Sequence, residues 1–138
     1  MKIYFIVTLL IAGVVVLSNS FCSNANALPK DDIALGKQLF FDTILSCNKK
    51  ISCASCHKPE FAFADTSAVS PGVFGRMGVR NTPSAMNLNS AAFFFWDGRA
   101  TTLEAQAMFP ITNPLEMNLP IDSAIERLTK NEFYNTAF

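Results

Sequence analysis

The chain has 138 residues, 11 basic and 11 acidic side chains and a single histidine, and half of its residues are hydrophobic. That length allows one domain at most, and a net charge of zero with no basic stripe argues against a nucleic-acid surface. Four cysteines and one imidazole are the scarce, chemistry-bearing groups.

At the N-terminus, Lys2 precedes the apolar run IYFIVTLLIAGVVVL, and the polar stretch SNSFCSNANA then ends in Ala25-Asn26-Ala27. A charged start, an apolar centre and an A-x-A end are the parts of a secretory signal peptide. Residues 1–27 are therefore expected to be removed on export. The apolar run is shorter than the roughly 18 residues a spanning helix needs. An uncleaved anchor, or a lipid on Cys22, is the lesser alternative; Phe21 is large where a lipid signal expects a small residue. The remaining chain, residues 28–138, can bury only a modest core, which a large covalent cofactor would enlarge. Without Lys2, its 10 basic residues face 11 acidic ones.

The elements that follow are helices joined by long loops. Asp31 and Asp32 open a helix through IALGKQLFFD, with Leu35 and Leu39 one turn apart. A short turn near residues 52 to 57 carries Cys53, Cys56 and His57, and Pro59 ends or bends it. Residues 67 to 89, rich in Gly, Pro, Ser and Asn, read as an ordered loop. TTLEAQAM opens another helix, with Thr101 and Glu104 at capping-box spacing. DSAIERL suggests a last helix, with Ile125 and Leu128 on one face and Ser123 and Glu126 at the same capping spacing. Strand patterns are scarce. The fold class expected is all-α, helices with long loops.

Export leaves Cys47, Cys53 and Cys56, an odd number that does not fit a disulfide framework. Cys47, Cys53, Cys56 and His57 have the count of a zinc site, but neighbours such as Cys56 and His57 rarely point at one tetrahedral centre. A thioredoxin-like redox pair would need a βαβ pattern, and none is visible. C-x-x-C-H is the signature of c-type haem attachment. One helical turn presents both sulfurs to the two haem vinyl groups, and the histidine that follows lies under the iron. This reading is preferred, because the motif coincides with an export signal and with the only histidine, and it makes the expected all-α fold a cytochrome c-like helical domain with long loops around a covalently attached haem.

LGKQLFFD, SCASCH, GVRNTPS, FFWDGRATTLEAQA and PITNPLEM, in this order, resemble the N-terminal haem domain of the bacterial di-haem cytochrome c peroxidases, the family that includes the MauG-type proteins. The resemblance runs from Ile33 to Phe138. It implies a periplasmic protein in which the N-terminal haem c reduces hydrogen peroxide. A second haem domain would take electrons from a small donor protein, a cytochrome c or similar. It implies Cys53 and Cys56 as the attachment residues and His57 as the axial ligand. Glu116 and Gln106 match the catalytic pair on the peroxide side, Trp96 the tryptophan between the haems, and Asn81 a residue at a calcium site between the domains. On residues alone, Glu116 reads as a solvated loop acid, Gln106 as a surface residue, and Trp96, with Phe93, Phe94 and Phe95, as core filler. Asp97 and Arg99 read as a local pair, with Arg99 or Arg80 on a haem propionate as the alternative.

Two departures from the family pattern matter. The loop position where many members carry a displaceable histidine falls near Val73. There is also no second C-x-x-C-H, so the expectation is a truncated product, a fragment of a longer gene, or a half that needs another chain. Two other classes stay open. One is a mono-haem electron-transfer cytochrome with Met77 or Met86 as its second ligand; the other is a non-catalytic haem-binding fragment.

Overall fold

Asp31 starts the first helix by accepting the Ala34 N–H on Oδ1 at 2.8 Å, which satisfies a donor that no earlier carbonyl can reach. The computed structural model describes residue 28 and residues 31–138, so the signal-peptide reading of residues 1–27 lies outside the described residues. Five α-helices follow in order: α1 Asp32–Phe41, α2 Cys53–Cys56, α3 Leu103–Thr112, α4 Ile121–Lys130 and α5 Glu132–Ala137. Among the described residues there is no strand, and no helix is long and apolar enough to cross a membrane. The all-α expectation holds.

The core is one cluster. Leu35 of α1, Ile44 and Leu45 after it, Met117 and Leu119 before α4, Ala124 of α4 and Tyr134 of α5 are all buried and packed together, with Leu39 at the edge. Polar groups tie this cluster to the segment that leads into α2. Arg127 of α4 donates to the carbonyls of Ile44 (3.1 Å), Ser46 (2.6 Å) and Cys47 (3.0 Å). Ser46, fully buried, accepts the Lys50 and Ile51 N–H groups at 3.2 Å each. The chain therefore enters the cysteine turn from a fixed direction.

Three seven-residue loops, 58–64, 71–77 and 94–100, replace strands. Each is closed by a single antiparallel bridge, Lys58 to Ala64, Pro71 to Met77 and Phe94 to Ala100. Each turns through residues with positive φ: Ala62 and Phe63, Phe74 and Gly75, Phe95 and Gly98.

Several local expectations are corrected. The cap of α3 is Thr102, not Thr101; its hydroxyl accepts the Ala105 N–H at 3.1 Å. Both threonines can cap, and the one nearer the helix does. Ser123 does not cap α4, which already begins at Ile121 after Pro120. Ile125 and Leu128 do share a face, but Ile125 is not part of the core. It is exposed, and the two line a shallow surface hollow of about 260 Å³, while Ala124 makes the core contact. Of the three phenylalanines expected as filler, only Phe94 is buried; Phe93 is exposed and Phe95 half-buried.

Candidate functional site

Cys53 and Cys56 begin and end the single turn of α2, so both thiols project from one short helix. Ser52 precedes them, and Ser52 and Ser55 bond reciprocally across the first turn. Both thiols are free and half-buried. Burial pushes each one up from its ordinary value. At Cys56 the Glu116 and Asp65 carboxylates push further, against a hydrogen bond with Ser70 and the charge of Lys58. The electrostatic environment of Cys56 thus includes Glu116, 60 positions away in the chain.

His57 ends the turn. Its Nδ1 lies 2.9 Å from the Phe63 carbonyl oxygen. A carbonyl can only accept, so Nδ1 carries the proton and Nε2 is left unprotonated, with its lone pair free to bind a metal. Phe40 of α1 sits beside the imidazole with ring centroids 6.4 Å apart, and Phe40 meets Phe63 edge-on at 5.8 Å.

Glu116 lies in the turn after α3. Asn113 holds it there, donating from Nδ2 to Glu116 Oε1 at 2.7 Å, while Asn113 Oδ1 accepts the Leu115 N–H at 3.0 Å. Loop 71–77 packs on this turn: the Val73 N–H donates to the Glu116 carbonyl at 2.8 Å and Arg76 Nη1 to the Pro114 carbonyl at 3.0 Å. Val73 is fully buried. Gln106 is half-buried on α3, one turn before Pro110, which sits inside the helix. Proline has no N–H to give the carbonyl four residues back, so the Gln106 carbonyl lacks its usual i+4 donor.

The remaining residues are exposed. Trp96 is 79% exposed, with the Arg80 guanidinium 5.9 Å from its ring. Asn81, the next residue after Arg80, is exposed. Arg99 makes the local pair, with Nη1 at 2.8 and 2.9 Å from the two Asp97 oxygens, and its guanidinium lies 3.6 Å from the Phe95 ring centroid. Met77 and Met86 are each about half exposed.

Sequence reasoning missed Asn113, Pro110 and the groups around Asp65. The Asn-Pro pair does signal a turn, but nothing in the spacing says that the amide reaches Glu116.

A family model described as di-haem cytochrome c peroxidase matches residues 30–138. The chain belongs to the di-haem cytochrome c peroxidase family. It is 48% identical over 105 residues to the methylamine utilization protein MauG of Methylorubrum extorquens, covering 75% of this chain and 30% of that one. It is 40% identical over 114 residues to the cytochrome c peroxidase Ccp of Escherichia coli, covering 80% and 24%. Among solved structures, a MauG-like protein associated with microbial copper homeostasis matches with a TM-score of 0.71 at 32% identity, over 82% of this chain and 34% of that chain. The diheme peroxidase BthA of Burkholderia thailandensis matches with a TM-score of 0.68 at 31% identity, over 80% and 32%. The chain spans about a third or less of the length of the curated relatives it matches.

A di-haem peroxidase needs haem, and this donor set fits a c-type haem. Two free thiols stand on one turn, followed by an imidazole whose Nδ1 is already engaged. It does not fit zinc: among the described residues no three Cys, His, Asp or Glu side chains converge as a metal-binding group. Cys47 lies instead against Asn118, whose Nδ2 is 3.8 Å from its sulfur.

Proposed function

We propose that this chain is the peroxide-reducing haem domain of a di-haem cytochrome c peroxidase, working with a second haem domain in cis or in trans. The observation that carries the reading is the His57 ring, fixed through Nδ1 on the Phe63 carbonyl at 2.9 Å directly after the paired thiols. Cys53 and Cys56 would hold one haem c by thioether bonds, and His57 Nε2 would ligate its iron. A haem held there would supply redox-active iron for the reduction of hydrogen peroxide to water.

The chain's own residues handle the protons. With Oε1 occupied by Asn113, Glu116 has Oε2 free to take a proton from one peroxide oxygen and return it to the other as that oxygen leaves. Its half-buried position beside loop 71–77 supports this role over that of a solvated acid. Gln106 orients the peroxide by its amide. Buried Val73 occupies the position near which the family's displaceable histidine falls, and valine cannot ligate iron, so the peroxide side stands open.

Trp96 relays electrons from the second haem domain, which draws them from a cytochrome c or similar donor. An indole this exposed, beside Arg80 and Asn81, suits a boundary between domains. Asn81 contributes to a calcium site at that boundary. The protein works in the periplasm, exported by residues 1–27.

The as-isolated ferric protein tests the reading. A high-spin spectrum that shifts on adding cyanide without prior reduction is expected. Glu116→Gln should keep the haem and slow the peroxide reaction by about 10²–10⁴-fold, the usual worth of a positioned acid–base group. A low-spin spectrum with the charge-transfer band of methionine–iron ligation and no cyanide binding would transfer the assignment to a mono-haem electron-transfer cytochrome.

A further inference from the structure

Loop 58–64 is held in a shape its residues resist. Ala62 and Phe63 both lie in the left-handed region, with φ of 54° and 57°. There an L side chain crowds the following carbonyl, and two such residues in succession persist only when their surroundings over-determine them. The result of the strain is specific: it turns the Phe63 carbonyl onto His57 Nδ1 at 2.9 Å.

Two sets of contacts hold the loop in this shape. At its base, the Lys58 N–H donates to the Ala64 carbonyl at 3.0 Å and the Phe63 N–H to the Lys58 carbonyl at 2.9 Å. An ion pair spans the same base, with Lys58 Nζ 2.7 Å from Asp65 Oδ1. The Asp65 side chain is only 1% exposed, and its other oxygen accepts the Ser70 hydroxyl at 2.6 Å. At the tip, the Ser84 hydroxyl donates to the Ala62 carbonyl at 2.6 Å, and the Ala85 N–H reaches the Phe63 oxygen at 3.2 Å.

We infer that Lys58, Asp65 and Ser84 are positioning residues that clamp this strained loop so that the Phe63 carbonyl stays on His57 Nδ1 and fixes both the orientation and the donor strength of the axial imidazole. The inference rests on the haem reading above. A hydrogen-bond acceptor on the distant nitrogen of a ligating imidazole raises its basicity, and a more basic ligand favours ferric over ferrous iron. None of the three side chains needs to touch the haem to do this.

The test uses the haem-loaded chain as a Lys58→Met, Ser84→Ala double variant, which opens base and tip together and leaves buried Asp65 in place. Amide hydrogen exchange across residues 58–64 should quicken by up to about tenfold for each hydrogen bond lost. The iron–histidine stretching band of the ferrous protein should move to lower frequency, and the midpoint potential should rise. A direct charge effect predicts the opposite potential change, because removing a cation stabilises ferric iron. Ser84→Ala alone, which changes no charge, should give a smaller shift of the band in the same direction, and Lys58→Arg should restore the parent values. An unmoved band with unchanged exchange in the double variant would overturn the inference while leaving the haem reading intact. Absence of covalent haem from the unmodified chain would instead overturn the reading beneath it.

Discussion

Gly72 is where loop 71–77 comes closest to the turn that carries Glu116. A Cβ added there would meet the Leu115 carbonyl oxygen at 2.0 Å and the Glu116 Cα and carbonyl oxygen at 2.7 Å. The φ of Gly72 is −91°, which any residue adopts, so contact alone requires glycine here. All three atoms are backbone and cannot rotate away. Ordinary contact begins at 3.4 Å, so Gly72→Ala forces the two segments apart by more than 1 Å. They are tied by the bonds from Val73 to Glu116 and from Arg76 to Pro114. The variant therefore either breaks those bonds or pushes Glu116 outward. Overpacking of this kind costs about 1–3 kcal/mol, and each kcal/mol lowers the melting temperature of a domain this size by about 4–8 °C. A misplacement of about 1 Å at a reacting group can cost on the order of 10²-fold in rate. The assays are thermal unfolding by circular dichroism and stopped-flow mixing of the ferric protein with peroxide. Haem content should not change, because Cys53, Cys56 and His57 stand on a separate turn. A melting temperature within about 2 °C of the parent and a peroxide rate within about twofold would refute the argument.

Replacing Cys53 or Cys56 by Ala should weaken covalent haem attachment, and replacing both should leave none after acid–acetone extraction; haem retained by the double variant would end the c-type assignment. Tyr134→Phe removes the bond from the buried phenol to Asp42 Oδ2 at 2.6 Å and should cost about 1.5–3 kcal/mol in urea unfolding at neutral pH, the usual range for a bond to a charged group. Burial, with Asp42 beside it, pushes the Tyr134 hydroxyl up from its ordinary value near 10. Its stabilisation is therefore complete below about pH 10 and lost as the pH rises toward the folded value. Between pH 9 and about pH 11 the parent should lose more stability than the variant, and equal losses would show that this phenol is not responsible.

The turn from Cys53 to His57 is legible in the sequence because its chemistry is local: two thiols and an imidazole within five residues need only one helical turn to converge. The helix opening at Asp31 and Asp32, with Leu35 and Leu39 one turn apart, is legible for the same reason. Glu116 and Gln106 are different. A carboxylate in a loop and an amide on a helix are ordinary, and only the resemblance to a family singled them out. What holds Glu116 in place is invisible at that level, since Asn113 acts through a turn and Val73 through a backbone bond from 43 residues away. Arg127 is further still, gripping carbonyls 80 to 83 positions earlier. No periodicity records such contacts. The missed cap at Thr102 shows the opposite limit: two adjacent threonines carry the same signal, and helix geometry chooses between them.

The three bridged loops explain how so small a helical core presents so many groups. Helices α1, α4 and α5 spend their apolar faces on one another and on the segments beside them, which leaves loops to furnish most of the site. A free loop would not hold a carbonyl or a carboxylate in register. A single antiparallel bridge at each base closes the loop, and left-handed residues inside it make the turn tight. Loop 58–64 delivers the Phe63 carbonyl to His57, loop 71–77 braces the turn that bears Glu116, and loop 94–100 presents Trp96 and the Asp97–Arg99 pair. The His57 side, the Glu116 side and the exposed indole are thus set by separate loops that share one scaffold. A change in one should leave the others nearly intact, which is why altered haem ligation at Lys58 and Ser84 and a slowed peroxide reaction at Gly72 are expected as separable effects.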